Sequence, residues 1–411
     1  MIFYYALSIL LFLYLAFNVS YLFLFSIAGL LKRKNWYSAV ELKRKIVVLI
    51  PTYKEDNIII NTALNAIHHD YPVDRFDIYI IADQLQETTV KALSDLPIHL
   101  VNVSFNKSTK AKSIKSALRE LPDNYYDIAF ILDADNVMGS GCLEKMNHAF
   151  DAGFDMVQLH RTAKNRNTPT AVLDAISEEI NNHIFRKGHR IVGLSSALIG
   201  SGMGFRYTHF KNLMMQTDID NNPGEDREIY LEFLRMGKTC EYIEDAFVYD
   251  EKVQSARVLE KQRTRWISAQ LQYARRFWTR DFFKTFSFGV HYFDYALQTL
   301  LLPRLLLVVA TMLIPVVFIF LYLVAGIKSF PSWGVWGGLS IVCWLGLFMS
   351  AYRSVSSHEI LIALRGLPKA FWSFLRALLK SSSGNREFIH TPKEYVNTRL
   401  IMDNNRAEGK D

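Results

Sequence analysis

The sequence contains few of the residues that mark small disulfide-bonded or metal-clustered proteins. It has only three cysteines, Cys142, Cys240 and Cys343, and their spacing matches neither a zinc site nor a disulfide framework. With 11 prolines and 50% hydrophobic residues, it also lacks the composition of a disordered protein. A reducing compartment therefore fits best, and 411 residues leave room for two or three domains.

The chain also lacks a long run of one charge. Its formal net charge of +7 is modest for this length, and the basic residues cluster beside apolar segments. This distribution favours anionic lipid headgroups over nucleic acid as a partner. We find no internal repeat and no low-complexity linker in the sequence.

Long apolar segments are what the sequence has in abundance. Residues 2–31 carry no charge and exceed the roughly 20 residues that cross a bilayer, and they lack the basic start of a signal peptide. Residues 305–327 and 333–352 predict a hairpin with a short external loop. Basic residues at 32–34 and 43–45 come after the first segment and none precedes it, which places the soluble region in the cytoplasm. We therefore expect a multi-pass protein of about three spans in a bacterial cell membrane.

A basic amphipathic stretch comes after the hairpin at residues 364–380. Its pattern is typical of a helix that lies on the membrane surface. An ordinary helix packed on the soluble domain would show the same pattern, so both interpretations stay open.

The soluble region between the first span and the hairpin alternates apolar runs with helical patterns, which predicts an α/β fold. Near-continuous apolar strands indicate a parallel sheet covered on both faces, and such sheets bind ligands at the carboxyl ends of their strands. The predicted strands are residues 46–51, 76–83, 98–103 and 128–133, and the clearest helical segments are residues 62–70 and 111–121.

Two aspartates, Asp133 and Asp135, lie at the end of the fourth predicted strand. Like charges so close together repel unless something positive lies beside them. A hard divalent cation such as Mg²⁺ or Mn²⁺ would fit, with its other ligands supplied by water and by the oxygens of a diphosphate. The same pair also occurs in solvated turns and at helix starts, so the motif alone does not decide between these interpretations.

Two later segments carry further functional groups. Glu225 and Asp226 begin an amphipathic helix, where the helix dipole favours carboxylates, although a simply capped helix would look the same. Gln262, Arg265 and Trp266 share one helix face and combine an amide, an anion-binding guanidinium and an aromatic ring. A helix at the membrane interface is the alternative for that face.

The ordered motifs "PTYKE", Asp83, "DAD", "GED" and "QRTRW" resemble the membrane-bound branch of glycosyltransferase family 2 over residues 43–270. The resemblance implies a GT-A fold, a Rossmann-like nucleotide-diphospho-sugar transferase domain, inserted between transmembrane helices. It divides the chain into a transmembrane helix at 1–31, a catalytic domain at 43–255, interface helices at 256–300, a transmembrane hairpin at 301–352 and an amphipathic tail at 353–411.

The resemblance also implies roles for twelve residues. The donor would be bound by Pro51, Tyr53, Glu55, Asp83, Lys110 and Asp133. The divalent cation would be held by Asp135 with Asp133. Asp226 would be the general base, with Glu225 beside it, and the clamp over the diphosphate and acceptor would be Gln262, Arg265 and Trp266.

The implied reaction is an inverting transfer from a nucleotide sugar, with a UDP-sugar expected, to a lipid-linked or glycan acceptor. Gln84 stands where many members have a second aspartate, and "KAKS" replaces a Gly-Lys-Gly-like element, so donor recognition departs from the family pattern. The stretch "IGSGMGFR" at 199–206 resembles the turn that lines the acceptor side, although a tight turn without a ligand would look alike.

Two other functions stay open. The Gln-Arg-Trp helix is shared with processive synthases of cellulose, chitin and hyaluronan, which favours polymer synthesis. Three spans, however, leave few helices to enclose a polysaccharide channel, so we prefer single or limited transfer. A non-catalytic membrane scaffold is the second alternative, and the presence of all four aspartates that the chemistry needs argues against it.

Overall fold

The computed structural model describes residues 2–32, 37–220, 222 and 224–381. The basic residues Arg33 and Lys34 and the tail beyond residue 381 lie outside the described residues. The strands are β1 Ile46–Tyr53, β2 Phe76–Asp83, β3 His99–Val103, β4 Ile128–Ile131, β5 Val137–Met138, β6 Met156–Ala163, β7 Met203–Arg206 and β8 Cys240–Asp250.

The first twelve helices of the described residues are α1 Ile2–Leu30, α2 Asp56–Ile67, α3 Glu87–Ser94, α4 Lys110–Glu120, α5 Cys142–Asp151, α6 Pro169–Asn181, α7 His189–Ile191, α8 Tyr207–Gln216, α9 Glu225–Arg235, α10 Ala256–Arg275, α11 Phe282–Ser287 and α12 Val290–Gln298. The remaining helices are α13 Arg304–Ala325, α14 Trp333–Ala351 and α15 Ser357–Ser381. Asn182–Gly188 and Arg276–Arg280 are π-helical.

The strands form one sheet in the order β3-β2-β1-β4-β7-β6-β8-β5. Its first four strands pair in parallel, as the sequence predicts. Residues 46–50 of β1 are fully buried, because one hydrophobic cluster that includes α4 covers one face and another that includes α2 covers the other. The α/β fold is confirmed.

The other half of the sheet is mixed, so the parallel arrangement does not extend beyond β4. β7 lies antiparallel between β4 and β6, β6 pairs in parallel with β8, and β5 pairs antiparallel with β8. β4 also ends at Ile131, two residues before the predicted boundary, because the backbone N–H of Asp133 donates to the Ser201 hydroxyl at 2.9 Å instead of to a neighbouring strand.

The strand register brings the carboxyl ends of the central strands together. Tyr53 at the end of β1 is paired with Asp83 at the end of β2. On the other side of β1, Leu49 is paired with Ile131, so Asp133 comes only two residues later. The sheet edge therefore presents the polar groups of three strands side by side.

Three helices, α1, α13 and α14, are long and apolar enough to cross a membrane, which agrees with the three predicted segments. α14 packs against both α1 and α13. At the α1–α14 contact the Ser350 hydroxyl donates to the Ser26 hydroxyl at 2.8 Å, and Phe12 packs edge-on against Trp336. The first and last apolar segments of the chain thus share one interface.

α15 contains the predicted amphipathic stretch and packs against α6, α10 and α13. Ion pairs join it to the rest of the protein, with 2.6 Å between Arg166 and Glu359 and 3.1 Å between Arg376 and Glu260. Its other side keeps Leu361 exposed. The helix therefore packs on the soluble domain and still presents an apolar surface outward.

Candidate active site

A cavity of about 1330 Å³ opens at the carboxyl edge of the sheet and extends to the apolar helices. Its wall includes all twelve residues predicted for the site, so the fold brings together motifs that are spread over more than 200 positions of sequence. They are Pro51, Tyr53, Glu55, Asp83, Lys110, Asp133, Asp135, Glu225, Asp226, Gln262, Arg265 and Trp266.

The positive charge beside the aspartate pair is Lys110, the first residue of α4. Its ammonium group donates to the Asp133 carboxylate and to the carbonyl of Gly200. Burial alone would lower the pKa of Lys110, but the carboxylates of Asp133, Glu225 and Asp226 outweigh it and raise this pKa. One half-buried cation therefore lies between Asp133 and the acidic start of α9.

The turn at residues 199–206 lies beside both Asp133 and Asp226. Ser201 accepts from the backbone of Asp133 and donates to Asn136 at 2.5 Å. Gly200 adopts φ +82°, and a Cβ placed there would lie 3.6 Å from the Asp226 carboxylate. The small residues thus let the turn pass between the aspartate pair and Asp226, and the acceptor-side role remains a prediction.

The predicted cation site lies at the aspartate pair. Asp135 is 8% exposed, and one of its carboxylate oxygens accepts from Asn136 at 3.2 Å. In the described part of the chain, no group of three or more His, Cys, Asp or Glu side chains could hold a metal ion. Two carboxylates fit a hard cation that takes its other ligands from water and phosphate oxygens, as Mg²⁺ and Mn²⁺ do.

The predicted donor pocket lies at the ends of β1 and β2. Asp83 is only 1% exposed, and burial raises the pKa of its carboxyl group despite the charge of Lys54. Tyr53 and Pro51 line the cavity beside it. Gln84 instead donates to the carbonyl of Phe105 at 3.3 Å and does not line the cavity. Gln84, which stands where many family members have a second aspartate, therefore lies outside the cavity wall.

The acidic pair Glu225 and Asp226 occupies the first turn of α9. Asp226 accepts from the backbone N–H of Arg227 at 2.8 Å, which fixes one carboxylate oxygen. Burial and the neighbouring Asp226 raise the pKa of Glu225 to about 7, although Lys110 and Arg265 oppose the shift. Near neutral pH the carboxyl group of Glu225 is therefore partly protonated.

This raised pKa predicts a pH-dependent stability effect of Glu225→Gln. The native carboxyl holds its proton more tightly than the unfolded one, so the parent loses stability as the pH rises from about 4.5 to 7. Glutamine cannot ionise, so at pH 8 the variant should be more stable by on the order of 1 to 3 kcal/mol and at pH 4 nearly unchanged. Thermal unfolding in nucleotide-free, metal-free buffer measures this, and equal gains at both pH values would contradict it.

The Gln-Arg-Trp face of α10 forms another wall of the cavity. The Gln262 side-chain oxygen is buried and has no hydrogen-bond partner among the described residues. The Arg263 guanidinium lies 4.2 Å from the centre of the Trp266 ring and forms an ion pair with Asp174. Arg265, one turn from Gln262, also faces the cavity. The helix thus combines the three predicted side chains with a further cation.

Several buried charged residues of the cavity wall were not predicted. Arg161 pairs with Glu178 at 2.9 Å, and Lys252 pairs with Asp250 at 2.8 Å. Asp250 also accepts from Asn136 at 3.0 Å, which ties this network to the aspartate pair. No local pattern marks these residues: Arg161, Glu178 and Asp250 lie in β6, α6 and β8, and Lys252 lies two residues after the end of β8.

This chain is similar to known proteins in family and in fold. The family model "Glycosyltransferase like family 2" matches residues 44–269. No curated protein matches the sequence. A mannosyltransferase, PcManGT from Pyrobaculum calidifontis, solved in complex with GDP-Man and Mn²⁺, is 15% identical with a TM-score of 0.54, over 92% of this chain and 97% of that one. S. aureus TarS 1-349 is 12% identical with a TM-score of 0.41, over 83% and 92%.

Proposed function

We propose that this chain, which belongs to glycosyltransferase family 2, transfers a sugar from a nucleoside-diphosphate donor to an acceptor that reaches the site from a membrane. The observation that carries the proposal is the shared cavity, which holds the aspartate pair, the acidic start of α9 and the Gln-Arg-Trp face, and which continues between the apolar helices. A soluble pocket for nucleotide sugars would not need that extension.

In the proposed reaction, Asp226 accepts the proton of an acceptor hydroxyl. The hydroxyl oxygen attacks the anomeric carbon of the donor, the bond from that carbon to the diphosphate breaks, and the nucleoside diphosphate leaves. Attack opposite the leaving group inverts the configuration. Asp226 suits this role because it lines the cavity from the first turn of α9, where the backbone N–H of Arg227 fixes one of its carboxylate oxygens.

Positive groups around the diphosphate position would assist its departure. Lys110 and Arg265 both line the cavity, and a guanidinium binds phosphate oxygens as a planar fork. Mg²⁺ or Mn²⁺, held by Asp133 and Asp135, would neutralise charge that develops on the leaving diphosphate. The similar fold of a mannosyltransferase in complex with GDP-Man and Mn²⁺ supports this choice of group.

We place the reaction at the cytoplasmic face of a bacterial cell membrane. α1, α13 and α14 would span the bilayer, and the basic residues after α1 favour the cytoplasmic side for the catalytic domain. The outward apolar surface of α15 would then lie on the same membrane face.

Arg265→Ala should weaken donor binding by about tenfold or more, because it removes a charged contact to the diphosphate. Arg265→Lys should restore part of the loss, since an ammonium keeps the charge and lacks the planar fork. Equilibrium binding of the nucleoside diphosphate to the purified full chain measures both effects. Arg353→Gln, an exposed arginine outside the cavity that contacts Tyr352, is the matched control. Unchanged binding in Arg265→Ala would remove Arg265 from the donor site.

A panel of nucleotide sugars tests the donor. Each is added with Mg²⁺ or Mn²⁺ and scored by the rise in unfolding temperature, because a ligand that binds the native state raises stability with the logarithm of its saturation. UDP-sugars are expected to give the largest shifts, whereas GDP-mannose is the donor that the similar mannosyltransferase holds. A larger shift with GDP-mannose would overturn the uridine assignment.

Two measurements address the alternative functions. A ladder of products from the purified enzyme would favour a processive synthase, whereas one product favours single transfer. Absence of both transfer and donor hydrolysis, with metal and after chelation, would favour the non-catalytic scaffold. The polar lining of the catalytic half of the cavity supports an active enzyme.

A further inference from the structure

The half of the cavity that lies between α13, α14 and α15 differs sharply from the catalytic half. Among the described residues of these helices that line it, all are apolar or aromatic except Arg304. Met312, Phe348 and Trp372 belong to this wall and are 47%, 61% and 59% exposed. This apolar arm is therefore open along its side, toward the region that a bilayer would occupy.

Arg304 lies where the apolar arm meets the catalytic half. It donates to the side chain of Asn181 at 2.6 Å and to the hydroxyl of Ser177 at 2.8 Å. It forms no ion pair with an acidic side chain within the described residues, whereas Arg263 nearby is paired with Asp174. A guanidinium that contacts only neutral groups in a half-buried position retains its capacity for an anion.

The surroundings of Arg304 add to the positive charge. Glu178 is shared by Arg161 at 2.9 Å, Arg186 at 3.4 Å and Lys252 at 3.6 Å, so one carboxylate serves three cations. Arg186 is 1% exposed, and its Nε has no hydrogen-bond partner among the described residues. Ion pairs among the described residues join four cations of this wall, Arg161, Arg186, Lys252 and Arg263, to three carboxylates, Asp174, Glu178 and Asp250, whereas Arg304 belongs to none of these pairs.

We propose that the acceptor is a lipid-linked saccharide whose phosphate group binds at Arg304 and whose apolar chain lies in the apolar arm. This inference rests on the proposed function and specifies its acceptor. The sugar of such a molecule extends from the phosphate toward Asp226, while the chain leaves through the open side of the arm. The N-terminus of α13, which begins at Arg304, adds its partial positive charge to the phosphate position.

A growing polysaccharide fits the apolar arm less well. Sugar hydroxyls need hydrogen-bond partners throughout a membrane passage, and the described lining of α13, α14 and α15 supplies one polar side chain. A passage for a polymer must also be closed to lipid, whereas this arm is open along its side. An alkyl or isoprenoid chain needs no hydrogen-bond partners, and it can lie in a groove that is open to lipid.

Binding of farnesyl phosphate to the purified full chain in neutral detergent tests the inference without requiring transfer. Farnesol and inorganic phosphate serve as probes of the chain and the anion alone. We expect saturable binding of farnesyl phosphate, at least about tenfold weaker binding of farnesol, and still weaker binding of phosphate. Equal binding of farnesol and farnesyl phosphate would show that no anion site adjoins the arm and would overturn the inference.

Variants locate the anion. Arg304→Gln should weaken farnesyl phosphate binding by about tenfold or more and leave the binding of farnesol and nucleoside diphosphate unchanged. Arg353→Gln, outside the cavity, is the control that should change none of the three. Retained nucleoside diphosphate binding shows that Arg304→Gln is folded; if the variant is unstable, Arg304→Lys is used, with a smaller loss expected. Unchanged farnesyl phosphate binding in a folded variant would refute the assignment.

Competition separates this site from the donor site. Saturating nucleoside diphosphate with Mn²⁺ should leave farnesyl phosphate binding intact, since the phosphate at Arg304 and the donor diphosphate occupy different parts of the cavity. Mutual exclusion would place the lipid phosphate in the donor site and overturn the inference. Intact binding of farnesyl phosphate without any sugar transfer would instead count against the proposed function alone.

Discussion

Asp226→Asn should reduce sugar transfer by ~10²- to 10⁴-fold, the range that is typical of a lost general base. Asparagine keeps the size of the side chain and the oxygen that accepts from the backbone of Arg227 at 2.8 Å, so the start of α9 should stay intact. It cannot accept the acceptor's proton. Donor affinity should be nearly unchanged, because the loss falls on the transition state.

Steady-state transfer rates and equilibrium donor binding, measured on the same preparations, separate the two effects. The comparison with Arg265→Ala distinguishes the two roles best, because Arg265→Ala should lose donor affinity as well as transfer activity. If Asp226→Asn lost donor binding while Arg265→Ala lost only the transfer step, the two roles would have to be exchanged.

Asp135→Asn should abolish metal-dependent turnover and leave the protein folded. The amide keeps the shape of the side chain but removes the charge that would hold a hard cation beside Asp133. Without metal, the variant should be at least as stable as the parent, because the repulsion between the two carboxylates is gone. Lys110, which already pairs with Asp133, keeps the remaining carboxylate compensated.

Turnover over a range of Mn²⁺ and Mg²⁺ concentrations and unfolding temperature in chelator test this assignment. Asp95→Asn, an exposed aspartate at the end of α3, is the matched control and should behave as the parent. Activity of Asp135→Asn within a few-fold of the parent, at any metal concentration, would refute the role of Asp135.

The parallel half of the fold could be predicted from the sequence because strands that are buried on both faces consist almost entirely of apolar residues. β1 is apolar almost throughout, and a strand of that kind needs cover on two sides. The antiparallel half could not be predicted in this way. β7 has only four residues and β5 only two, too few for a periodic signal, and β8 contains exposed acidic residues.

The site, too, was predictable in part. Its twelve residues were predictable as an ordered set of motifs, and all of them line one cavity. Contacts between motifs were not predictable, because they depend on distances across the fold. The ion pair of Lys110 with Asp133 crosses 23 positions of sequence, and in the sequence Arg304 is only the basic flank of an apolar segment.

The α1–α14 interface bears on how the protein is made. Ser26 and Ser350 lie 324 positions apart, so at synthesis rates of about 5–20 residues per second the first helix waits tens of seconds for its partner. Two of its polar side chains have partners within α1 itself: Ser26 donates to the Leu22 carbonyl at 2.7 Å and Asn18 to the Tyr14 carbonyl at 2.8 Å. Ser26 and Asn18 therefore do not depend on α14 for a hydrogen-bond partner, and α1 can form before α14 is synthesised.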